Sequence, residues 1–216
     1  MSKNKVVVLF NGWGMDRNVV DHLTDNEWDL IEFSSYHNEK DLEKLVKNIE
    51  KYEEKVLISF SLGVYMAPII LKEYSNLFSM KIAINGTLIP YDDKLGIPKI
   101  IFDKTLEGWS TATKNLFNKR ILRSDILLGR FLKNQPARSI NDQKSELKFI
   151  KNSFLSYGEV KNIYDIAIIS DDDRIFPKIN QIGFWNDKAR YKLLDSPHFP
   201  FYIFESFSEL MEFIKN

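Results

Sequence analysis

Six short apolar runs, four before residue 90 and two after residue 160, alternate with stretches of helical spacing, and that rhythm leaves few folds open. Val6–Phe10, Trp28–Phe33, Lys55–Ser59 and Lys81–Asn85 read as strands, as do Ile166–Ser170 and Tyr191–Leu194. Val19–Leu23, Asp41–Tyr52 and Val64–Tyr74 separate the first four and Ile179–Trp185 the last two, with apolar residues three or four apart. A closing amphipathic helix is expected at Tyr202–Ile214. Near-continuous apolar strands joined through helices imply a mostly parallel sheet with helices on both faces, so the fold class is α/β. Residues 91–158 break the rhythm with helical patterns and the breakers Gly96, Pro98, Gly108, Gly129 and Pro136. They are expected to form an inserted helical lid, leaving 1–90 and 159–216 as one core.

Composition excludes several chemistries. A chain of 216 residues supports one sizeable core and is short for two. No run approaches the ~18 apolar residues of a membrane span, and the polar Met1-Ser2-Lys3-Asn4 passes straight into a strand too short for a signal-peptide core. A cytoplasmic protein acting as a monomer, with no membrane partner, is expected. Zero cysteines exclude disulfides, a thiolate zinc site and a cysteine nucleophile, and no ligand cluster suggests a metal or other cofactor. Thirty basic residues balance 30 acidic ones, which argues against a nucleic-acid partner. The balance is uneven: Lys99 to Lys151 holds 12 Lys or Arg against 5 Asp or Glu, a surplus of +7, and the remainder carries −7.

The segment Ser59-Phe60-Ser61-Leu62-Gly63 leaves a buried strand, turns through small residues and enters a helix. A G-x-S-x-G elbow presents its serine on such a turn, and here Ser59 replaces the first glycine. The Leu62 N–H falls at the helix N-terminus, where unpaired donors favour developing negative charge. Gly12 and Gly14, which bracket Trp13 after the first strand, let the backbone approach a substrate closely, so the Trp13 N–H is the second expected oxyanion donor. Of the three histidines, His198 follows the last strand, on the edge where the elbow opens; His22 and His37 read as surface residues. Imidazole suits the base because it titrates near neutrality. The orienting acid is expected between Ser61 and His198, where Asp171, Asp172 and Asp173 all follow a strand.

At Phe10-Asn11-Gly12-Trp13-Gly14-Met15-Asp16, Ser59–Val64 and His198-Phe199-Pro200-Phe201 the sequence resembles the pimeloyl-[acyl-carrier protein] methyl ester esterases of the BioG type, within the α/β-hydrolase superfamily. Asn11 and Ser59 depart from the related BioH type, which has histidine and glycine there. The superfamily's D-x-I-x-P context selects Asp173 as the acid. The resemblance implies a carboxylesterase of biotin synthesis acting on a pimeloyl methyl ester borne by acyl carrier protein, with Ser61 as nucleophile, His198 as base, and Trp13 and Leu62 holding the oxyanion. Because such carriers are acidic, the basic insertion is expected to meet them: with Leu116–Leu132 as one helix, Arg120, Arg123 and Arg130 lie within about a quarter turn and Phe117, Ile121, Leu128 and Leu132 occupy another face. Phe102, Trp109 and Phe131 are candidate walls of an acyl channel or plain core. Another small acyl esterase or thioesterase on the same residues is the nearest rival, and a non-catalytic carrier-binding protein of this fold is the rival of a different class.

Overall fold

The computed structural model describes residues 4–23, 25–38 and 42–216. Strands β1 (Lys5–Phe10), β2 (Trp28–Phe33), β3 (Glu54–Phe60), β4 (Met80–Ile84), β5 (Ile166–Asp172) and β6 (Arg190–Pro197) form one sheet in the order β2-β1-β3-β4-β5-β6, with every neighbouring pair parallel. Helices α1 (Leu42–Glu50), α2 (Gly63–Ile70), α7 (Lys178–Trp185) and α8 (Phe207–Lys215) belong to the alternating part, and α3 (Lys99–Glu107), α4 (Thr111–Leu122), α5 (Asp125–Lys133) and α6 (Ile140–Tyr157) lie in the chain between β4 and β5. Val6 to Phe10 and Val56 to Phe60 are buried throughout, as central strands covered on both faces must be.

The strand order reverses direction once. From β1 the chain steps outward to β2, then crosses back to β3 and proceeds the other way, so β1 and β3 are neighbours whose outgoing connections diverge. Right-handed crossovers put α1, α2 and α7 on one face and the turn after β1 on the other, where the Ser208 N–H ties α8 to Asp25. The crevice at the C-terminal ends of β1 and β3 is the switch point at which open parallel sheets bind ligands.

Several helical expectations are corrected. The stretch expected at Val19–Leu23 is a 3-10 turn, Arg17–Val20, started by Asp16, whose side chain accepts from the Asn18 N–H. Leu116–Leu132 is not one helix: Arg123 stands in the left-handed region (φ 56°) and Ser124 caps the next helix, accepting from the Leu127 N–H. The closing helix begins at Phe207 rather than Tyr202, because Ser206 caps it and Phe201–Ile203 form a separate 3-10 turn. α2 ends at Ile70, short of Tyr74, and its Pro68 cannot donate to the Val64 carbonyl, which accepts the Tyr164 hydroxyl instead (2.8 Å). The expected start of α1 at Asp41 lies outside the described residues. Among those residues no helix is long and apolar enough to cross a membrane.

Candidate active site

Ser61 sits where β3 gives way to α2, with φ at 55°. A left-handed non-glycine residue costs about 1–3 kcal/mol and persists only where its surroundings impose it. Here they do: the Ser61 N–H is held by the Ile84 carbonyl at 2.8 Å and its own carbonyl by the Val64 N–H at 3.0 Å. Side chains are excluded around the turn. A Cβ on Gly63 would lie 2.4 Å from the Phe10 carbonyl oxygen and one on Gly86 2.3 Å from that of Ser61. Ser59 fits in place of the usual glycine as a fully buried residue between Phe10 and Ala83 of the flanking strands.

The structure brings Ser61, His198 and Asp173 together. His198 Nε2 lies 3.0 Å from Ser61 Oγ and Nδ1 lies 2.8 Å from Asp173 Oδ2, with both the histidine and aspartate side chains almost wholly buried. A carboxylate only accepts, so Nδ1 carries the hydrogen and the Nε2 lone pair faces the serine hydroxyl. Asp173 is fixed in turn: Oδ1 accepts the Ile175 and Phe176 N–H groups (2.7 and 2.9 Å) and Oδ2 accepts the Gln181 amide (3.0 Å). Phe60 and Phe176 flank the imidazole. Asp171 and Asp172 are exposed, and Asp172 pairs with Arg123. The other histidines lie elsewhere: His22 Nε2–H donates to the Phe201 carbonyl (3.0 Å) and His37 lies 3.1 Å from Asp142.

Trp13 and Leu62 line one narrow cleft with Ser61 and His198. The Asn11 N–H donates to Phe33, Gly12 to the Asn11 side chain, Gly14 to Glu146 and Met15 to Gly12. Among the described residues the Trp13 and Leu62 N–H groups have no protein acceptor. Apolar walls come from Ile97, Ile101, Phe102, Phe117, Leu147 and Ile175. Trp109 and Phe131 line a separate small cavity behind Trp13.

The three arginines do not share one face. Arg120 reaches the cleft rim, where partial burial and the neighbouring Arg174 pull its pKa down against the opposing field of Asp173. Arg123 is held by Asp172, and Arg130, on the next helix, stacks 4.3 Å over the Tyr202 ring.

Four supporting residues escaped the sequence reading. Asn85, left-handed at φ 51°, donates to the His198 carbonyl and to Ser170 Oγ (2.7 Å each), tying the histidine loop to β5. The Asn85-Gly86 pair after β4 was the available turn signal. Gln181, Gln143 and Glu146 carry no local signal; the last two, on α6, bind the loop after β1.

A parallel sheet with a strained serine between β3 and α2, and a histidine and aspartate after later strands, defines an α/β-hydrolase. The same architecture recurs in a lipase-esterase related protein from Clostridium acetobutylicum, at a TM-score of 0.67 and 13% identity over 100% of this chain and 95% of that one. Residues 2–210 match the family described as pimeloyl-ACP methyl esterase BioG, and the chain belongs to that family. The BioG structure from Haemophilus influenzae superimposes at a TM-score of 0.86 and 26% identity, covering 96% of this chain and 95% of that one. An uncharacterised H. influenzae protein is 30% identical over 212 residues, 96% of this chain and 94% of its own. A malonyl-[acyl-carrier protein] O-methyltransferase from Bacteroides fragilis is 31% identical over 201 residues; the match takes in 91% of this chain and 40% of that longer protein. Family and fold together make the chain a hydrolase of biotin biosynthesis.

Proposed function

We infer that this hydrolase is a serine carboxylesterase that converts the methyl ester of pimeloyl-[acyl-carrier protein] to the free acid and methanol. The observation that carries the reading is the hydrogen-bonded series Ser61, His198, Asp173, opening on a largely apolar cleft that Trp13 and Leu62 also line. His198 Nε2 takes the Ser61 proton as Oγ attacks the ester carbonyl, and Asp173 balances the imidazolium. The tetrahedral oxyanion is met by the Trp13 and Leu62 N–H groups. Collapse breaks the carbonyl–methoxy bond, and His198 returns the proton to the departing methanol. Water, deprotonated by His198, then attacks the acyl-serine, and Ser61 leaves reprotonated.

The substrate assignment draws on the family's description and on the B. fragilis relative, whose name describes methylation of an acyl group on the same kind of carrier. Removal of such a methyl is the complementary reaction. In this reading residues 91–158 form the lid over the cleft. Arg120 meets the substrate at its rim, and Arg123 and Arg130 face the acidic carrier with the rest of the basic insertion.

The test is mass spectrometry of pimeloyl-acyl-carrier-protein methyl ester incubated with the protein and with Ser61→Ala. Conversion of ester to acid with the thioester intact, lost in the variant, is the expected result. Cleavage of the thioester instead would make the protein a thioesterase. Survival of the ester, with a serine inert to a fluorophosphonate probe, would leave only a binding role.

A further inference from the structure

Glu146 lies on α6, in the insertion, yet it serves two loops at the C-terminal edge of the sheet. Its side chain is wholly buried, accepting the Gly14 N–H at 2.9 Å and the Tyr36 N–H at 3.0 Å, with Arg138 Nη1 at 2.7 Å neutralising the charge. One turn earlier, Gln143 completes the grip. Its Nε2 donates to the Gly14 carbonyl at 2.9 Å, and its own backbone carbonyl accepts the Trp13 indole N–H at 2.6 Å. Gly14 needs its left-handed φ of 72° to enter this grip, and a Cβ there would press on Gln143 at 3.2 Å.

Two contacts of that grip fall on Gly14, the residue after Trp13. Glu146 takes the Gly14 N–H, the next along the chain, and Gln143 the Gly14 carbonyl, so the Trp13–Gly14 peptide plane cannot rotate without breaking a buried charged hydrogen bond, while the adjoining plane that carries the Trp13 N–H is held at its Gly12 carbonyl by the Met15 N–H (3.1 Å). Among the described residues, the one amide of Asn11–Met15 without a protein acceptor belongs to Trp13, which lines the cleft with Ser61. We propose that Glu146, assisted by Gln143, is the positioning residue of the oxyanion hole, fixing the Trp13 N–H from the insertion rather than from the sheet. This rests on the reading of Ser61 as nucleophile; Glu146 itself touches neither substrate nor serine.

A buried carboxylate also stabilises a fold, so the test needs a readout that stability alone leaves untouched. An oxyanion accepts amide hydrogen bonds well, whereas the larger sulfur of a thionoester's tetrahedral adduct accepts them poorly. The ratio of kcat on p-nitrophenyl butyrate to kcat on its C=S counterpart therefore reports the donors' placement. Glu146→Gln is expected to lower kcat on the oxygen ester about 10- to 100-fold, less than outright loss of a donor, with KM within about twofold and the ratio reduced about tenfold. Equal losses on both esters, or no loss, would overturn the proposal. Should Glu146→Gln melt before assay, Gln143→Met removes the carbonyl clamp and is expected to shrink the ratio in the same direction. Ser61→Ala, run alongside, separates the two claims. Turnover surviving in that variant sinks the nucleophile assignment, whereas an unchanged ratio in the Glu146 and Gln143 variants sinks only the positioning role.

Discussion

The most constrained side chain in the site is Asp173. Two backbone N–H groups hold Oδ1 and the Gln181 amide joins His198 at Oδ2, so each oxygen meets two donors, and an amide put in place of the carboxyl must give its oxygen to one pair and set its NH2 against the other. This dictates what Asp173→Asn does. Ile175 and Phe176 keep the remaining oxygen, and the new NH2 faces His198 Nδ1. The imidazole then carries its hydrogen on Nε2, pointing at the serine that the proposed mechanism has it deprotonate. The expected loss in kcat is about 10⁴-fold, with little change in KM or fold. A kcat within tenfold of wild type would show that the aspartate does not set the tautomer. Asp171→Asn, on an exposed neighbour, is the matched control.

At the scale of elements, the histidine loop is bound from both sides. Phe199 packs on Phe60, Phe131 and Tyr202 and donates its N–H to the Ile121 carbonyl of α4 at 3.1 Å, while His22 grips the Phe201 carbonyl. Burial lowers the His22 pKa below its ordinary 6.5, Arg130 adds to the effect and the Phe201 carbonyl opposes it. Folded protein therefore binds this proton less readily than unfolded chain. Its contribution leaves stability intact above about pH 6.5 and erodes it as pH falls from there through the depressed folded value. Melting temperature is expected to drop across that window, less steeply in His22→Gln; identical slopes would clear His22 of the effect. Such ties also mark where sequence stops informing. The central strands β1, β3, β4 and β5 were readable because strands covered on both faces are continuous apolar runs, the edge strands β2 and β6 showed as shorter apolar patches, and Ser61, His198 and the acid loop lie at strand ends that the pattern locates. The break at Arg123 was not, since an ordinary arginine enters the left-handed region there, beside an Asp172 supplied by a distant strand. Glu146 was equally opaque: one acid in a basic stretch reads as solvated, and its amide partners are 132 and 110 residues away.

Across the whole molecule, charge is divided between the basic stretch Lys99 to Lys151 and an acidic remainder, so under the proposed function an acidic carrier approaching the cleft would meet an attractive field from that stretch. Such steering is screened by salt. Raising ionic strength from about 20 to 300 mM is expected to lower kcat/KM on carrier-bound ester about tenfold and leave p-nitrophenyl butyrate untouched. Parallel responses on the two substrates would remove electrostatics from carrier recognition. The same insertion grips the loop after β1 through Gln143 and Glu146, and the histidine loop through Ile121. It is therefore no interchangeable cassette. A chimera that borrows this stretch from another hydrolase to redirect substrate choice inherits a foreign seating for both loops, and its turnover number drifts with its selectivity. Diversification of such a family would then proceed by small edits within the insertion rather than by its wholesale exchange.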